Sequence, residues 1–212
     1  MKLKLCNWER FQQNLPKKER MISGQYDEES IIVYQAYNPS ISDFAIANQH
    51  FGGEHFKMER MTWIKPNFLW MMHRSGWSSK ANQEKVLAIR IRISFFRSLL
   101  EEAVLSSFNS KLYKDNMSWK EDIAKSKVRI QWDPAYDIYD NKQTYRAIQI
   151  GMKGKIARQY AQSEILEIID MSNFSKKQKH YILSKNLSQI QLPEEKVWNP
   201  AVPISNNFLL DS

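Results

Sequence analysis

An α+β fold is predicted for this 212-residue chain. Three observations carry it: β-branched and aromatic runs that read as strands, apolar positions at helical spacing between them, and strand candidates that cluster late without regular strand–helix–strand alternation. The length suits one domain with terminal extensions, and a composition 42% hydrophobic and 12% aromatic is ample for a core.

Residues 1–30 are polar and charged, broken by Pro16 and Gly24, and read as an arm or loose cap. Ile31-Ile32-Val33-Tyr34 is a strand by composition. Asn38-Pro39-Ser40 ends it and offers an N-cap to a helix carrying Ile41, Phe44, Ala45 and Ala47, which Gly52-Gly53 closes. Arg60 to Ile64 reads as a short strand. Pro66 then suits the first position of a helix whose Phe68-Leu69-Trp70-Met71-Met72 is apolar all round and hence buried, ending at Ser75-Gly76. Val86 to Ile93 alternates apolar residues with Arg90 and Arg92, as a half-exposed strand does. Phe95, Phe96, Leu99, Leu100, Ala103 and Val104 follow at helical spacing. Residues 109–126 form a polar connection. Strands are then expected over Val128–Trp132, Tyr145–Ile150 and Ile165–Ile169, with turn material at Tyr139–Lys142, and a helix over Lys176–Leu187. The folded domain therefore spans 31–192. Residues 193–212, with Pro193, Pro200 and Pro203, read as an extended tail.

The net charge of +8 and a pI near 9.4 favour anionic partners and also serve solubility. Cys6 is the single cysteine, so no intramolecular disulfide forms. His50, His55, His73 and His180 lack metal-ligand spacing, and no metal is expected. No apolar run reaches the roughly 18–20 residues of a membrane span, so no membrane partner is expected. The N-terminus lacks the apolar middle of a signal peptide, which points to the cytoplasm or to delivery into another cell by a non-classical route. The glycine-rich dinucleotide, phosphate-loop and kinase signatures are absent. Gly151–Lys155 is a basic turn, either a phosphate cradle or a surface hairpin.

Several polar residues interrupt apolar surroundings. Gln35 offers an amide, and Tyr34 or Tyr37 a ring to stack on a base or nicotinamide; strand packing would equally account for both tyrosines. Arg60 and Lys65 flank an apolar strand and helix start, where an anionic ligand, or Glu59 or Asp133, can neutralise them. Thr62 is a hydroxyl donor or simply a strand residue. Asp133, before Pro134, is a candidate base or a turn residue. Gln149 lies among apolar neighbours and needs hydrogen bonds from ligand or scaffold.

The blocks Ile32-Val33-Tyr34-Gln35-Ala36-Tyr37-Asn38-Pro39, Arg60-Met61-Thr62-Trp63-Ile64-Lys65-Pro66-Asn67-Phe68-Leu69-Trp70-Met71-Met72, Val128-Arg129-Ile130-Gln131-Trp132-Asp133-Pro134 and Arg146-Ala147-Ile148-Gln149-Ile150-Gly151 resemble, in this order, a widespread family catalogued as a domain of unknown function. The resemblance runs from about residue 30 to about residue 193. That family is in turn similar to a divergent branch of the ADP-ribosyltransferase superfamily. The similarity implies a split antiparallel β-sheet with flanking helices, NAD in the cleft, and transfer of ADP-ribose with release of nicotinamide. The superfamily places an Arg or His on an early strand, a hydroxyl residue on a middle strand and a Glu on a late strand. Two placements compete: Arg60-Met61-Thr62 as the early, cofactor-clamping strand, or Tyr34-Gln35-Ala36-Tyr37 in that role with Thr62 as the middle hydroxyl. In both, Gln149 stands where Glu is usual. Gln accepts a ribose hydrogen bond but takes no proton, so a base must come from Asp133, Glu164 or the target.

The resemblance thus implies catalytic roles for Arg60, Thr62 and Gln149, and cofactor contacts from Tyr34, Gln35, Tyr37, Trp63, Lys65 and Arg146, with a protein side chain as acceptor. The alternative is an RNA-directed phosphotransferase or RNA-binding protein of the same fold, for which Arg90, Arg92, Arg97, Lys176, Lys177 and Lys179 would neutralise phosphates.

Overall fold

The computed structural model describes residues 2–199 and Phe208. The first 30 residues are folded onto the body, unlike the arm or loose cap expected. Strand β1 (Leu5–Asn7) leads directly into helix α1 (Trp8–Gln13), where the Asn7 side chain accepts from the Arg10 N–H as an N-cap. β1 pairs antiparallel with residues 191–193, and β2 (Ser23–Gly24) with 196–197, so the two ends of the domain clasp each other. Cys6, Phe11 and Ile22 are buried there; a few apolar anchors outweigh the polar look of the segment.

β3 (Ser30–Tyr37) has no polar face because both of its faces are covered. Ile31 and Val33 enter one apolar cluster, Ile32 and Tyr34 the other. Asn38 caps α2 (Pro39–Asn48), which closes on Gln49 in the left-handed region at φ 58°. The Gln49 side chain then accepts from the Ile168 N–H at 2.8 Å, so helix closure comes before the glycine pair and is fixed by a tertiary contact. β4 is Thr62–Ile64, shorter than expected: Arg60 lies in a turn, its N–H donating to the Lys57 carbonyl. α3 (Phe68–Ser75) is buried as predicted, with Asn67 at the N-cap and Gly76 at φ 58° closing it.

β5 (Lys85–Arg92) runs into α4 (Ile93–Glu101), and Val104–Leu105 forms the short strand β6 instead of extending that helix. The polar connection contains α5 (Asn116–Lys125), capped by Asp115 and tied to β6 by Trp119 Nε1 donating to the Leu105 carbonyl. β7 (Val128–Tyr136) and β8 (Lys142–Met152) form a long hairpin closed by Asp137 and by Asp140 at φ 66°. α6 (Lys155–Gln159) continues as a π-helical turn over Tyr160–Glu164 into β9 (Ile165–Asp170). α7 (Ser172–Leu183), β10 (Gln191–Pro193) and β11 (Lys196–Val197) complete the described chain; Pro200 and Pro203 lie outside the described residues.

Two sheets organise the domain, β3-β5-β9 and β4-β8-β7-β6, antiparallel throughout except at β6–β7. An isolated backbone bridge joins them, the Tyr34 N–H donating to the Lys65 carbonyl at 2.6 Å. α2 and α4 pack into one apolar cluster, α1, α3 and α7 into the other. The fold is α+β, as expected.

Candidate functional site

Where β3 and β4 part, the backbone opens into a cleft with two adjoining lobes of about 610 and 570 Å³ that share Trp63, Lys65 and Arg74. The first lobe is bounded by Gln35 and Tyr37 from β3, Arg60 and Thr62 from the β4 side, and His55 with Phe56 from the preceding loop. The second is bounded by Trp70 and His73 from α3, Gln131, Asp133 and Tyr136 from β7, and Gln149 from β8.

Period two along the strands explains who faces the cleft. On β3, Gln35 and Tyr37 share one face and Tyr34 takes the other. Tyr34 is fully buried against Phe68, with ring centroids 5.4 Å apart, and among the described residues its hydroxyl has no partner. It is a core residue, not a ring available to nicotinamide. Gln35, 3% exposed, anchors a buried network: its Nε2 lies within 2.9 Å of Tyr37 Oη, Thr62 Oγ1 and the Trp63 carbonyl, and its Oε1 accepts from Tyr160 Oη at 2.6 Å. Burial pushes the Tyr37 phenol up to about 12, although the Thr62 hydroxyl opposes the rise, so Tyr37 stays a neutral phenol.

On the opposite wall, Trp63 faces Gly151 across the β4–β8 ladder. A Cβ at position 151 would lie 2.7 Å from the indole, so only glycine lets that ring lie flat on the strand. Gln149 faces the same side and donates to Asp133 Oδ2 at 2.6 Å, while its cross-strand partner Gln131 donates to Asp133 Oδ1 at 2.8 Å. Burial raises the Asp133 carboxyl; these amide bonds and the nearby Lys65 hold it down in part. Asp133 is therefore an oriented carboxylate in the cleft rather than a turn residue.

Arg60, Lys65 and Arg74 have no ion-pair partner among the described residues. Arg60 is exposed, and its neighbour Glu59 is engaged by Arg158. Lys65 Nζ reaches the Trp63 carbonyl at 3.2 Å and stands 5.3 Å from the Trp70 ring centroid, rather than pairing with Asp133. Arg146 is misplaced by the sequence reading. Its Nε is 2.8 Å from Glu19 Oε1 and its N–H bonds the Glu19 carbonyl, outside the cleft. Glu164 also lies elsewhere, bonded to Gln159 and 3.7 Å from Arg92.

The structure thus brings Gln35, Tyr37, Arg60, Thr62, Trp63, Lys65 and Gln149 to one cleft and leaves out Tyr34 and Arg146. Sequence reasoning missed Trp70, His73 and Arg74, which are neighbours on one face of α3 by their spacing of three and four. The basic pair in that helix's last turn was the available signal. His73 stacks on Tyr136, with centroids 3.5 Å apart, and its Nδ1 lies 3.2 Å from Asp140.

The cations advanced for RNA are mostly engaged. Arg90, Arg92 and Arg97 face Glu167, Glu164 and Glu101 within ion-pair distance, Lys179 lies 3.8 Å from Asp140, and Lys177 covers the Tyr181 ring. Among the described residues no helix is long and apolar enough to cross a membrane, and no three His, Cys, Asp or Glu side chains are grouped to hold a metal ion.

A comparison with curated proteins finds no match. The model of one family, described as a domain of unknown function (DUF4291), matches residues 21–198, taking in every element of the cleft and most of the terminal clasp; the chain belongs to that family.

Proposed function

We propose that this protein is an NAD-dependent ADP-ribosyltransferase that modifies a protein side chain and releases nicotinamide. The observation that carries the reading is the meeting, at the seam of two sheets, of three cations without ion-pair partners among the described residues, two indoles and one oriented carboxylate. Guanidinium groups bind a pyrophosphate in forked geometry, and a cleft with low-dielectric walls strengthens that attraction.

NAD supplies an activated bond between ribose and nicotinamide. Arg60 and Arg74 hold the pyrophosphate across the two lobes. Trp63, flat on Gly151, offers a ring face to the planar end of the dinucleotide. Thr62 and Tyr37, both hydrogen-bonded to Gln35, offer hydroxyls to the ribose. Gln149 orients the ribose but takes no proton; Asp133, bonded to it at 2.6 Å, accepts the proton of the incoming nucleophile. Desolvation makes this carboxylate a stronger base than an exposed aspartate. Asp133 is favoured over Glu164 because only Asp133 lines the cleft.

The test is nicotinamide release from NAD in the presence of a cell lysate as acceptor source. Asp133→Asn keeps the shape, with one of the two glutamine amides turned over to accept from its Nδ2, and is expected to lower the rate by about 10²–10⁴, the usual contribution of a positioned base. A wild-type protein that neither binds NAD nor releases nicotinamide contradicts the proposal. The RNA-directed alternative is less favoured, since three of the six cations advanced for it, Arg90, Arg92 and Arg97, already face carboxylates.

A further inference from the structure

Lys65 stands at the waist of the cleft, where both lobes meet, and is held differently from the ion-paired cations of this fold. Lys85, Arg90, Arg146 and Arg158 each have a carboxylate within ion-pair reach; among the described residues Lys65 has none. One carbonyl oxygen and one indole face are its close company. The charged groups acting on it are Arg74 from α3 and Asp133 from β7, with His73 lining the same lobe. Burial foremost, then Arg74, favour loss of its proton against the pull of Asp133, and bring its pKa from 10.5 down to about 7. An amine desolvated beside a second cation is the setting in which lysine becomes a nucleophile. Near neutral pH about half of such amines are uncharged, against roughly one in a few thousand for an exposed lysine.

We infer that Lys65 is a nucleophilic amine that forms an imine with the aldehyde of a phosphorylated sugar held in the cleft. The Nζ lone pair bonds to the carbonyl carbon, the carbonyl oxygen takes a proton, and the nitrogen gives one up, leaving a carbinolamine. The carbon–oxygen bond then breaks, the hydroxyl leaves as water after protonation, and the C=N bond forms; no oxidant or reductant takes part. Asp133 faces this amine and moves the protons, accepting from nitrogen and donating to the departing hydroxyl. Arg60 and Arg74, which line the first lobe together with Lys65, hold the phosphate. An aldehyde of this kind comes from a free aldose phosphate or from the opened ribose of ADP-ribose. The chemistry shares its cleft with the ADP-ribosyl reading but needs no NAD turnover.

The experiment traps the imine with cyanoborohydride in the full chain, using ribose 5-phosphate in one arm and ADP-ribose in another, and locates the adduct by peptide mass mapping. Lys65 is expected to label at least about tenfold faster than exposed lysines such as Lys120 and Lys142, given its larger neutral fraction. Labelling saturates with sugar concentration, is suppressed by inorganic phosphate, and is lost from position 65 in Lys65→Arg, whose retained fold is checked by circular dichroism. Labelling in only one arm supports the imine and names its source. Label spread evenly over surface lysines, or equal labelling of Lys65 by unphosphorylated ribose, overturns the inference. NAD turnover is read separately, so an unlabelled Lys65 in a protein that releases nicotinamide removes this inference alone.

Discussion

Glu195 is a buried carboxyl group, and its removal tests how the terminal clasp supports the cleft. Only 6% exposed, it accepts from the Phe68 N–H at 2.6 Å and from Asn67 Nδ2 at 3.1 Å, at the start of α3. The helix N-terminus favours the anion, yet desolvation dominates and carries the pKa from 4.5 to about 7. An acid whose folded pKa is raised adds stability that is whole below its unfolded pKa and is lost as pH rises through the folded one. The window is therefore 4.5 to 7, and the shift corresponds to about 3 kcal/mol. Asp133 shares the sign. Lys65 has the opposite one: its depressed pKa removes stability as pH falls from 10.5 through about 7, so it acts above the Glu195 window. Urea unfolding of the wild type, followed at constant m-value, is expected to lose about 2 kcal/mol between roughly pH 5 and pH 7, below the range in which Lys65 adds stability back. Glu195→Gln keeps the acceptor for Phe68 but turns an amide donor toward Asn67, which costs about 1–2 kcal/mol. The variant starts less stable near pH 5 and meets or passes the wild type by pH 8, because the Glu195 contribution lost over that range exceeds the amide cost. A variant that keeps the wild-type slope refutes this account of Glu195.

Three further substitutions probe the walls of the cleft. Gly151→Ala places a methyl 2.7 Å from the Trp63 ring, so a stability loss of about 1–3 kcal/mol and a changed Trp63 fluorescence are expected, while an unaltered spectrum would mean that the ring does not lie on the strand. Gln35→Leu strands the Tyr160 hydroxyl, at about 1–3 kcal/mol for that unpaired group, and a melting temperature within a degree of wild type would contradict the network. Tyr34→Phe removes a buried hydroxyl that has no partner among the described residues, so calorimetry is expected to show equal or higher stability; a loss above about 1 kcal/mol would reveal a hydrogen bond not seen here.

The central strands and the buried helix were legible because β-branched runs and an all-round apolar segment have one physical explanation each, burial on both sides. α5 was not: it has no buried residue and no apolar stripe, and it is specified by the Asp115 cap and one indole hydrogen bond. α7 was placed four residues late because its first turn buries Ser172 and Ser175, polar residues satisfied inside the fold by Asp170 and Ser78. Half of the cleft could be read from polar residues set in apolar strands, as with Thr62, Lys65 and Gln149. The misplacements have equally local causes. Tyr34 was grouped with Gln35 and Tyr37 although strand parity turns it the other way. Arg146 was given to a ligand because its partner, Glu19, belongs to a segment read as a loose arm. The Asp133–Gln149 contact depends on the β7–β8 register, which spacing alone does not fix.

Amide hydrogen exchange with and without NAD tests most directly whether the seam between the sheets is where this protein takes its ligand. Protection is expected in β4, in the first turn of α3 and along residues 131–133 of β7, with little change in the hollow lined by Lys2, Lys4 and Lys196. Protection confined to that hollow, or no protection at NAD concentrations that saturate turnover, would contradict it.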